Sequence, residues 1–446
     1  MPTVPSRLLC VDVGSTWTKA ALVDLGEARI VATAAVPTTL RPDVMVGVQA
    51  ARAAVGAADD TPALACSSAG GGLRLAVVGY ERSVTAEAGR RVGLSAGARV
   101  VHVAAGELDG QGVRDLRAAR PDLVLLVGGT DGGNADVLLH NAARLAAARL
   151  TAPVVVAGNR EAGSQAAGLL AATGRRHVVT DNVVPQIGVI DPEPARTAIR
   201  AVFLEHVIGG KGLSRDRAFA TMVRAATPDA VLAGAEVLSA ATGTDVLLVD
   251  VGGATTDVYS CLTPEGEDAS LRKEVVGRLW HARTVEADLG MRWNADGVVE
   301  AAAREHLPTS SGLVPYAASL AERPDHLPVD AHEQTLDLEI ARLAATVGVR
   351  RHARPQAPGE GPRPLADVGL VIGSGGVLRH APAGGAAGVL EAVTTDHGGG
   401  WRVPVAARTA VDAAYGLFVV GLLAREQPDA ALALARRLGA SMGVGA

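Results

Sequence analysis

One short sequence pattern occurs in both halves of the chain. The segment VDVGSTWT over residues 11–18 returns as VDVGGATT over residues 249–256, and each copy follows a continuous apolar run typical of a buried strand. Apolar, β-rich residues follow each copy, at 20–23 and 258–261. Each glycine-rich turn is therefore predicted to join the two strands of a hairpin, which excludes the strand-turn-helix architecture of Walker loops and dinucleotide fingerprints. The repetition predicts two similar lobes.

Helical and strand-like stretches alternate along the rest of the sequence, which predicts an α/β fold. Further apolar runs typical of buried strands cover residues 123–127, 153–156 and 369–372. Between them lie stretches with the composition of helices, rich in Ala, Leu and Arg, such as residues 135–150 and 230–241. At 446 residues and 48% hydrophobic content, the chain is long enough for two or three folding units with substantial cores.

Composition limits the partners and the compartment of the protein. The net charge is −5 and the basic residues are dispersed, so neither nucleic acid nor an anionic membrane is an expected partner. No apolar run reaches the ~20 residues that span a bilayer, and residues 1–7 lead directly into a strand instead of an apolar signal region. We therefore expect a cytoplasmic protein. The 3 cysteines, Cys10, Cys66 and Cys261, lack the spacing of a metal or disulfide site.

The residues of the two turns are suited to binding phosphate. Glycine lets consecutive backbone N–H groups converge on phosphate oxygens, and serine or threonine hydroxyls add donors. The phosphate-binding candidates of the turns are Gly14, Ser15, Thr16, Gly252, Gly253, Thr255 and Thr256. Asp12 and Asp250 end the preceding strands, where a carboxylate can hold Mg²⁺ through bound water while the metal neutralises the phosphates, so both are metal and catalytic candidates. Lys19, after the first turn, either reaches a phosphate or is a solvated strand lysine.

A third glycine-rich segment, VIGSGGVL over residues 371–378, leads from an apolar strand into a predicted helix. Its glycines would let the backbone pack against a flat adenine and ribose. The candidate residues for this contact are Gly373, Ser374, Gly375 and Gly376. The first phosphate motif, the second phosphate motif and the adenosine motif follow one another in an order and spacing that resemble the actin/Hsp70/sugar-kinase superfamily.

The superfamily resemblance implies a specific architecture. It is a duplicated, two-lobed α/β fold of the actin/Hsp70 (ribonuclease H-like) type, with ATP and Mg²⁺ bound in the cleft between the lobes. We expect the first lobe at residues 1–225 and the second at 226–446, with a variable insertion at about 294–366. The linking helices of the superfamily have matches at residues 227–231 and 412–416.

More than one residue is a candidate for directing ATP hydrolysis. Hsp70-like members carry a Glu before the Pro of the first linking helix, whereas this chain has Thr227 there. Hydrolysis is then slow or depends on another carboxylate. Three candidates for that carboxylate are Asp229, Asp131 and Asp257.

Asp131 lies in the segment GGTDGGN at residues 128–134, which has two interpretations. The segment is either part of a ligand cradle at the end of a strand, where open α/β sheets bind ligands, or a simple strand-to-helix loop. In the second case Asn134 or Asp136 caps the helix that follows. We retain Asp131 as a catalytic candidate.

Four further segments resemble the accessory protein of glutamate (methylaspartate) mutase, a family labelled GlmL or MutL and unrelated to the mismatch-repair protein of that name. They are CSSAGGGL at 66–73, TAEA at 85–88, VGGTDGGN at 127–134 and RTVEADLGMR at 283–292. This resemblance implies an ATP-dependent reactivating or chaperone-like protein that serves an adenosylcobalamin-dependent mutase. The implied partners are the subunits of such a mutase, with glutamate mutase first among them.

Two other classes of function share the same ATP cleft. A small-molecule kinase needs a carboxylate base beside an acceptor hydroxyl, and the sequence identifies no such residue. A hydantoinase-like hydrolase subunit is the other open alternative. An iron-sulfur ATPase that activates dehydratases needs clustered cysteines, which this chain lacks. We therefore expect a slow ATPase that acts as a mutase-reactivating factor.

Overall fold

The computed structural model describes residues 6–69, 73–81, 85–96, 98–208, 213–214, 216–263, 280–355 and 361–444. The glycines at 70–72, in the segment CSSAGGGL, lie outside the described residues. The described ranges form a mixed α/β fold with three five-stranded sheets. None of their helices combines the length and the apolar content that crossing a bilayer requires.

The first sheet is built around the hairpin that contains the first turn. Its strands are β1 (Arg7–Val13), β2 (Trp17–Asp24), β3 (Arg29–Pro37), β4 (Ala63–Ser67) and β10 (Val223–Ala226). They lie in the order β3-β2-β1-β4-β10, with β1 to β3 antiparallel and with β4 and β10 parallel to β1. After its first residue, β1 is buried throughout, as expected for a central strand that is covered on both faces.

The second sheet repeats this arrangement. Its strands are β11 (Val246–Val251), β12 (Thr256–Cys261), β13 (His281–Glu286), β14 (Leu370–Ser374) and β15 (Arg408–Val411). Their order is β13-β12-β11-β14-β15, again with three antiparallel strands followed by two parallel ones. The predicted duplicated, two-lobed α/β fold is therefore confirmed, and the two glycine-rich turns lie in equivalent hairpins, β1–β2 and β11–β12.

A third sheet, which the sequence analysis does not predict, is inserted between β4 and β10. Its strands are β5 (Leu73–Gly79), β6 (Ala98–Ala105), β7 (Leu123–Leu126), β8 (Val154–Val156) and β9 (His177–Val179). All neighbouring strands are parallel, in the order β6-β5-β7-β8-β9. The first lobe therefore contains a further sheet in addition to its copy of the duplicated unit, and the predicted boundary at residue 225 falls inside β10.

Helices connect and cover the strands. Those up to the end of the first lobe are α1 (Val44–Ala54), α2 (Thr85–Ser95), α3 (Gly110–Ala118), α4 (Asp136–Ala148), α5 (Arg160–Ala171), α6 (Glu193–Val202), continued by the π-helical turn Phe203–Ile208, and α7 (Arg217–Met222). Those that follow are α8 (Thr227–Thr242), α9 (Ala295–Arg304), α10 (Leu313–Glu322), α11 (Ala331–Ala353), α12 (Gly376–Arg379), α13 (Gly385–Thr394), α14 (Gly416–Glu426) and α15 (Pro428–Ser441). The stretch 294–366, expected to be a variable insertion, contains α9 to α11, which pack in the core of the second lobe.

Local sequence explains where several helices begin. The carboxylates of Asp43, Asp109 and Asp330 accept hydrogen bonds from backbone N–H groups in the first turns of α1, α3 and α11. Asn159 does the same for α5. These side chains satisfy N–H groups that have no partner within the helix itself, which stabilises each start by roughly 0.5–2 kcal/mol.

The alternation of side chains along β1 and β11 directs Asp12 and Asp250 to the space between the lobes. Cys10 and Leu248 belong to one apolar cluster, which also contains buried residues of α8 and α14. Because side chains two positions apart share a face of a strand, Asp12 and Asp250 are the next residues on these inner faces. The two carboxylates therefore lie where an apolar core ends.

The two linking helices, α8 and α14, cross at glycines. A Cβ atom at Gly234 of α8 would lie 1.9 Å from the carbonyl oxygen of Leu417, and one at Gly421 of α14 would lie 1.8 Å from that of Ala230. Side chains at these positions would push the helices apart, so glycine is required for the two backbones to approach this closely. The sequence matches for linking helices coincide with the start of α8 and with the turn that leads into α14.

Replacing Gly234 by Ala should destabilise the protein, because the added methyl group overpacks the helix crossing. We expect a loss of about 1–3 kcal/mol in the free energy of unfolding, seen as a lower midpoint in urea-induced unfolding followed by circular dichroism. Gly168→Ala in α5 is the matched control, since a Cβ there meets nothing within 4 Å. The control should be neutral or stabilising by about 0.5–1 kcal/mol. Equal midpoints for the two variants would contradict the close crossing.

Candidate functional site

A cavity with both polar and apolar lining lies where the two hairpins and the two linking helices meet. Acidic, basic and aromatic side chains from both lobes contribute to its lining. The lining residues are Asp12, Lys19, Thr227, Val231, Asp250, Ser374, Asp412, Tyr415, Leu417 and Phe418. The structure thus brings together Asp12, Lys19, Asp250 and Ser374, which the sequence analysis selects from distant segments of the chain.

The two turns have the same backbone geometry. The Gly14 N–H donates to the carbonyl oxygen of Trp17 at 3.1 Å, and the Gly252 N–H donates to that of Thr255 at 2.9 Å. A Cβ atom at Gly14 or Gly252 would lie 2.7 or 2.8 Å from these same oxygens. Both turns therefore need glycine at this position, and their repetition in sequence reflects a repeated conformation.

The other turn residues differ in their exposure. The tips of the two turns contain four residues that are at least partly exposed: Ser15, Thr16, Gly253 and Thr255. Thr256 is instead fully buried, and its hydroxyl donates to the carbonyl oxygen of Leu289 at 2.6 Å. This bond fastens the second hairpin to the segment after β13, and a phosphate contact for Thr256 stays a prediction.

Asp12 is buried and accepts three polar contacts. Its Oδ2 lies 3.2 Å from the Nζ of Lys19, directly across the hairpin. Its Oδ1 accepts a hydrogen bond from the hydroxyl of Thr227 at 2.5 Å and a weaker one from the thiol of Cys66 at 3.6 Å. Thr227, in the place of the Hsp70 Glu, is thus bound to the carboxylate of the first hairpin.

Lys19 is the cation that the two lobes share. Burial lowers the pKa of its ammonium group, but attraction to Asp12 and Asp250 outweighs burial and raises the pKa above its usual value. The Nζ also lies 4.5 Å from the ring centroid of Tyr415, and the guanidinium of Arg379 lies 3.5 Å from the same centroid. Its ion pair and its place in the cavity favour a ligand-binding role for Lys19 over that of a solvated strand lysine.

Asp250 is the counterpart of Asp12 in the second lobe. Burial raises the pKa of its carboxyl group, against the opposing effects of Lys19 and of a hydrogen bond with Ser374. Ser374 lies directly across from Asp250 on β14, as Cys66 lies across from Asp12 on β4. Each carboxylate thus has a hydroxyl or thiol partner on the next strand, a relation that depends on strand register and has no signal in the sequence.

Asp412 and Tyr415 line the cavity although the sequence analysis does not select them as site residues. The Asp412 carboxylate accepts from the N–H groups of Gly416 and Leu417, at 2.6 and 3.1 Å, and so caps the start of α14. Burial raises the pKa of this carboxyl group, and the two backbone hydrogen bonds oppose that rise. The match of residues 412–416 to a linking helix is the sequence signal that points to this turn.

The glycines of the adenosine motif have different roles. Gly373 packs against the side chain of Leu378, and a Cβ there would lie 2.7 Å from it. Gly375 has φ +104°, and its Cβ would lie 2.1 Å from the carbonyl oxygen of Val251, so this glycine is needed by the fold itself. Gly376 is exposed and a Cβ there meets nothing within 4 Å. Of the three glycines, Gly376 is therefore the one with open space for a ligand beside it.

Asp131 is not part of the cavity lining. It follows β7 in the third sheet, where its Oδ1 accepts from the side-chain amide of Asn182 at 2.8 Å and from the N–H of Arg160 at 3.0 Å. Asn134 accepts from the N–H of Asp136 at the start of α4. These bonds favour the interpretation as a strand-to-helix loop, and a catalytic role for Asp131 stays a prediction.

The other two candidate carboxylates have contrasting surroundings. Asp229 is buried in an ion pair with Arg200, whose Nη2 donates to it at 2.6 Å, and Arg196 lies 3.9 Å away. Asp257 lies directly across from Asp250 in the β11–β12 hairpin. Of these two, Asp257 is the one whose side chain shares a strand face with the cavity residues.

The cavity residues fit a hydrated Mg²⁺ ion. Proteins hold Mg²⁺ through one or two carboxylates together with waters and phosphate oxygens, and Asp12 and Asp250 supply two carboxylates. The raised pKa of Lys19 reflects the attraction of both carboxylates for a positive charge at this place. Across the described ranges, no group of three or more His, Cys, Asp or Glu side chains could enclose a metal ion.

Known proteins resemble this chain in sequence and, more distantly, in structure. The sequence of residues 8–438 matches the model of a protein family that is described as MutL protein. Protein MutL of Clostridium tetanomorphum is 34% identical over 455 residues, which cover 96% of this chain and 98% of that protein.

Two solved structures illustrate the distant likeness. Nucleotide-free acetone carboxylase has a TM-score of 0.40 and 15% identity, covering 94% of this chain and 70% of that one. The ADPNP-bound activator of 2-hydroxyisocaproyl-CoA dehydratase from Clostridium difficile has a TM-score of 0.31 and 10% identity, covering 98% and 97%. At these values the structural likenesses carry no information about ligand or reaction.

Asp12→Asn and Asp250→Asn should each weaken the binding of Mg-ATP, because each removes a carboxylate charge that the metal needs. A lost contact to a charged group is worth about 1.5–3 kcal/mol, which corresponds to roughly a ten- to hundredfold higher Kd. Isothermal titration calorimetry measures the Kd, and circular dichroism checks that the fold is retained.

Asp60→Asn is the control for these two variants, since Asp60 is exposed in the loop between α1 and β4. Its Kd for Mg-ATP should equal that of the unmodified protein. Unchanged affinity in both Asp12→Asn and Asp250→Asn would remove these residues from the site.

Gly376→Val should lower the affinity for ATP while leaving the affinity for tripolyphosphate nearly unchanged, because the added side chain fills the space expected for the nucleoside. Calorimetric titrations with the two ligands compare these affinities. Gly388→Val is the control, since Gly388 is an exposed helical glycine with equally open surroundings. Equal losses for ATP and tripolyphosphate in Gly376→Val would contradict an adenosine contact.

Proposed function

Because the chain belongs to the MutL protein family, we propose that it is an ATP-binding, slowly ATP-hydrolysing protein that reactivates an adenosylcobalamin-dependent mutase. The family resemblance supports glutamate mutase as the partner. The observation that carries the nucleotide part is the meeting of two equivalent hairpins, whose Asp12 and Asp250 both attract the ammonium group of Lys19.

The cavity residues and the three glycine-rich motifs each have a role in the proposed binding of the nucleotide. The exposed tips of the two turns present N–H and hydroxyl donors to the phosphates. Asp12 and Asp250 would hold Mg²⁺, which would neutralise phosphate charge. Lys19 donates to a phosphate oxygen as a point charge. The nucleoside lies beside Gly376, where the backbone is open.

Slow hydrolysis follows from the residues around the expected position of the terminal phosphate. A threonine hydroxyl has no basicity comparable to a carboxylate, so Thr227 cannot replace a Glu in orienting an attacking water. The Thr227 hydroxyl also donates a hydrogen bond to the carboxylate of Asp12. Asp229 and Asp257 are each paired with an arginine, and we assign this role to Asp257 because it lies directly across the hairpin from Asp250.

The nucleotide acts on the partner through the lobes. ATP and ADP differ only in the terminal phosphate, and a ligand shifts a conformational equilibrium only through its different affinities for the two states. The start of α8 contacts the first hairpin through Thr227, and Asp412 and Tyr415 lead into α14. A change at the phosphates therefore acts on both linking helices, which cross at Gly234 and Gly421.

A mutase inactivated during turnover should regain activity when it is incubated with this protein, Mg-ATP and fresh adenosylcobalamin. The assay follows the conversion of glutamate to 3-methylaspartate, with a related aminomutase tested in parallel. Asp250→Asn should restore little activity, because its Mg-ATP site is weakened. Asp60→Asn should restore as much as the unmodified protein.

Two outcomes would refute the reactivase proposal. One is the absence of association with either mutase in a pull-down, combined with no recovery of activity in any nucleotide state. The other is stoichiometric phosphorylation of a sugar in incubations with labelled ATP, which would favour the small-molecule kinase.

A further inference from the structure

Tyr415 is a cavity residue whose hydroxyl group has no hydrogen-bond partner among the described residues. It lies directly before α14 and is 7% exposed. Tyrosine hydroxyl groups in largely buried residues usually have a partner, and where the protein supplies none, a water or a ligand does. Because Tyr415 lines the cavity, a group bound in the cavity can provide the missing acceptor.

The backbone of Tyr415 has a conformation that suits glycine better than tyrosine. Its φ is +53° and its ψ is 36°, in the left-handed region, where the Cβ atom of an L-residue lies too close to the following carbonyl oxygen. Glycine would begin α14 here without this cost. A residue in such a conformation persists only when surrounding contacts hold it. The contacts of the aromatic ring therefore explain why tyrosine is kept in this place.

Two cations from different motifs lie over the Tyr415 ring. The Nζ of Lys19, from the first hairpin, lies 4.5 Å from the ring centroid. The guanidinium carbon of Arg379, at the end of α12, lies 3.5 Å from the same centroid. The negative face of an aromatic ring attracts cations at these distances. The ring thus connects the hairpin expected to bind phosphates with the helix that follows the adenosine motif.

The positive charge of Arg379 is not compensated within the part of the chain that the structure describes. Arg379 is half-buried, and no described carboxylate forms an ion pair with it. Charges that lose hydration are normally paired with a group of opposite charge. An anion beside Tyr415 would supply that charge, and a phosphate oxygen would also accept a hydrogen bond from the phenolic O–H group.

We propose that Tyr415 is a phosphate-binding residue of the nucleotide site, whose hydroxyl donates to an oxygen of the phosphate chain and whose ring keeps Lys19 and Arg379 beside that chain. This inference rests on the proposed nucleotide site and adds to it a donor from the turn before α14. It involves no covalent step and no contact with the metal. A nucleoside contact and a water as the sole partner are the two alternatives that the experiment separates.

The experiment compares Tyr415→Phe with the unmodified protein by calorimetric titration with ATP and with tripolyphosphate, both in the presence of Mg²⁺. Phenylalanine keeps the ring and removes only the hydroxyl group. Because a hydrogen bond to a charged group is lost, the Kd should rise roughly tenfold or more for both ligands. The midpoint of urea-induced unfolding should stay unchanged, since the hydroxyl has no partner among the described residues.

Tyr316→Phe is the matched control. Tyr316 is 8% exposed and lies in α10, and its hydroxyl donates to the Oδ1 of Asp337 at 3.1 Å. It is not among the described residues that line the cavity. Loss of this hydroxyl should lower the urea midpoint, because a buried acceptor loses its donor, and should leave both Kd values unchanged. The two variants should therefore show opposite patterns, which a merely structural role of the Tyr415 hydroxyl would not produce.

Tyr415→Leu tests the role of the ring. This variant removes the aromatic face as well as the hydroxyl, so both Kd values should rise further than in Tyr415→Phe. Equal Kd values in the two variants would contradict a role of the ring in placing the cations. If Tyr415→Leu does not fold, Tyr415→Phe still decides the role of the hydroxyl.

Unchanged Kd values in Tyr415→Phe would overturn the phosphate contact and leave water as the partner of the hydroxyl. A loss of affinity for ATP without a loss for tripolyphosphate would place the hydroxyl at the nucleoside and overturn it as well. Neither result affects the nucleotide site itself, which is tested by Asp12→Asn and Asp250→Asn. Absence of Mg-ATP binding by the unmodified protein would overturn both the proposed function and this inference.

Discussion

The attraction of Lys19 to one carboxylate from each lobe is the interaction on which the arrangement of the site depends. Asp12 is buried and Asp250 half-buried at the ends of central strands, where two negative charges without a cation would repel each other and lose hydration. Lys19 compensates them, and it also contacts the ring of Tyr415 at the entry to α14. One side chain thus connects both hairpins and a linking helix.

The crossing of the linking helices α8 and α14 is the second close contact on which the site depends. Gly234 and Gly421 let α8 and α14 touch backbone to backbone, so neither helix can move without affecting the other. Thr227 ties the first of these helices to Asp12, and Asp412 caps the second. These contacts connect the carboxylates of the cavity to the helix crossing through rigid elements.

Much of the fold and part of the site could be predicted from the sequence, because both depend on local patterns. The repeated turn needs Gly14 and Gly252 for its conformation, and that need appears as a repeated motif. The third sheet had no such signal, since its strands read as ordinary apolar runs within the first lobe. The place of Thr256 in the motif predicts a phosphate ligand, whereas strand alternation directs its side chain towards the core.

The sequence by itself determined the duplicated α/β architecture, the two Asp-bearing hairpins and the membership of the family. Periodicity and motif order are properties of the sequence and can be recognised without a structure. Only the tertiary structure decided which side chains meet. Strand register places Cys66 beside Asp12, Ser374 beside Asp250 and Arg283 within reach of Asp257. Register is a non-local property, because it is set by how strands that are distant in sequence pack over a shared core. The sequence pattern of one strand does not say which residues of another strand lie beside it.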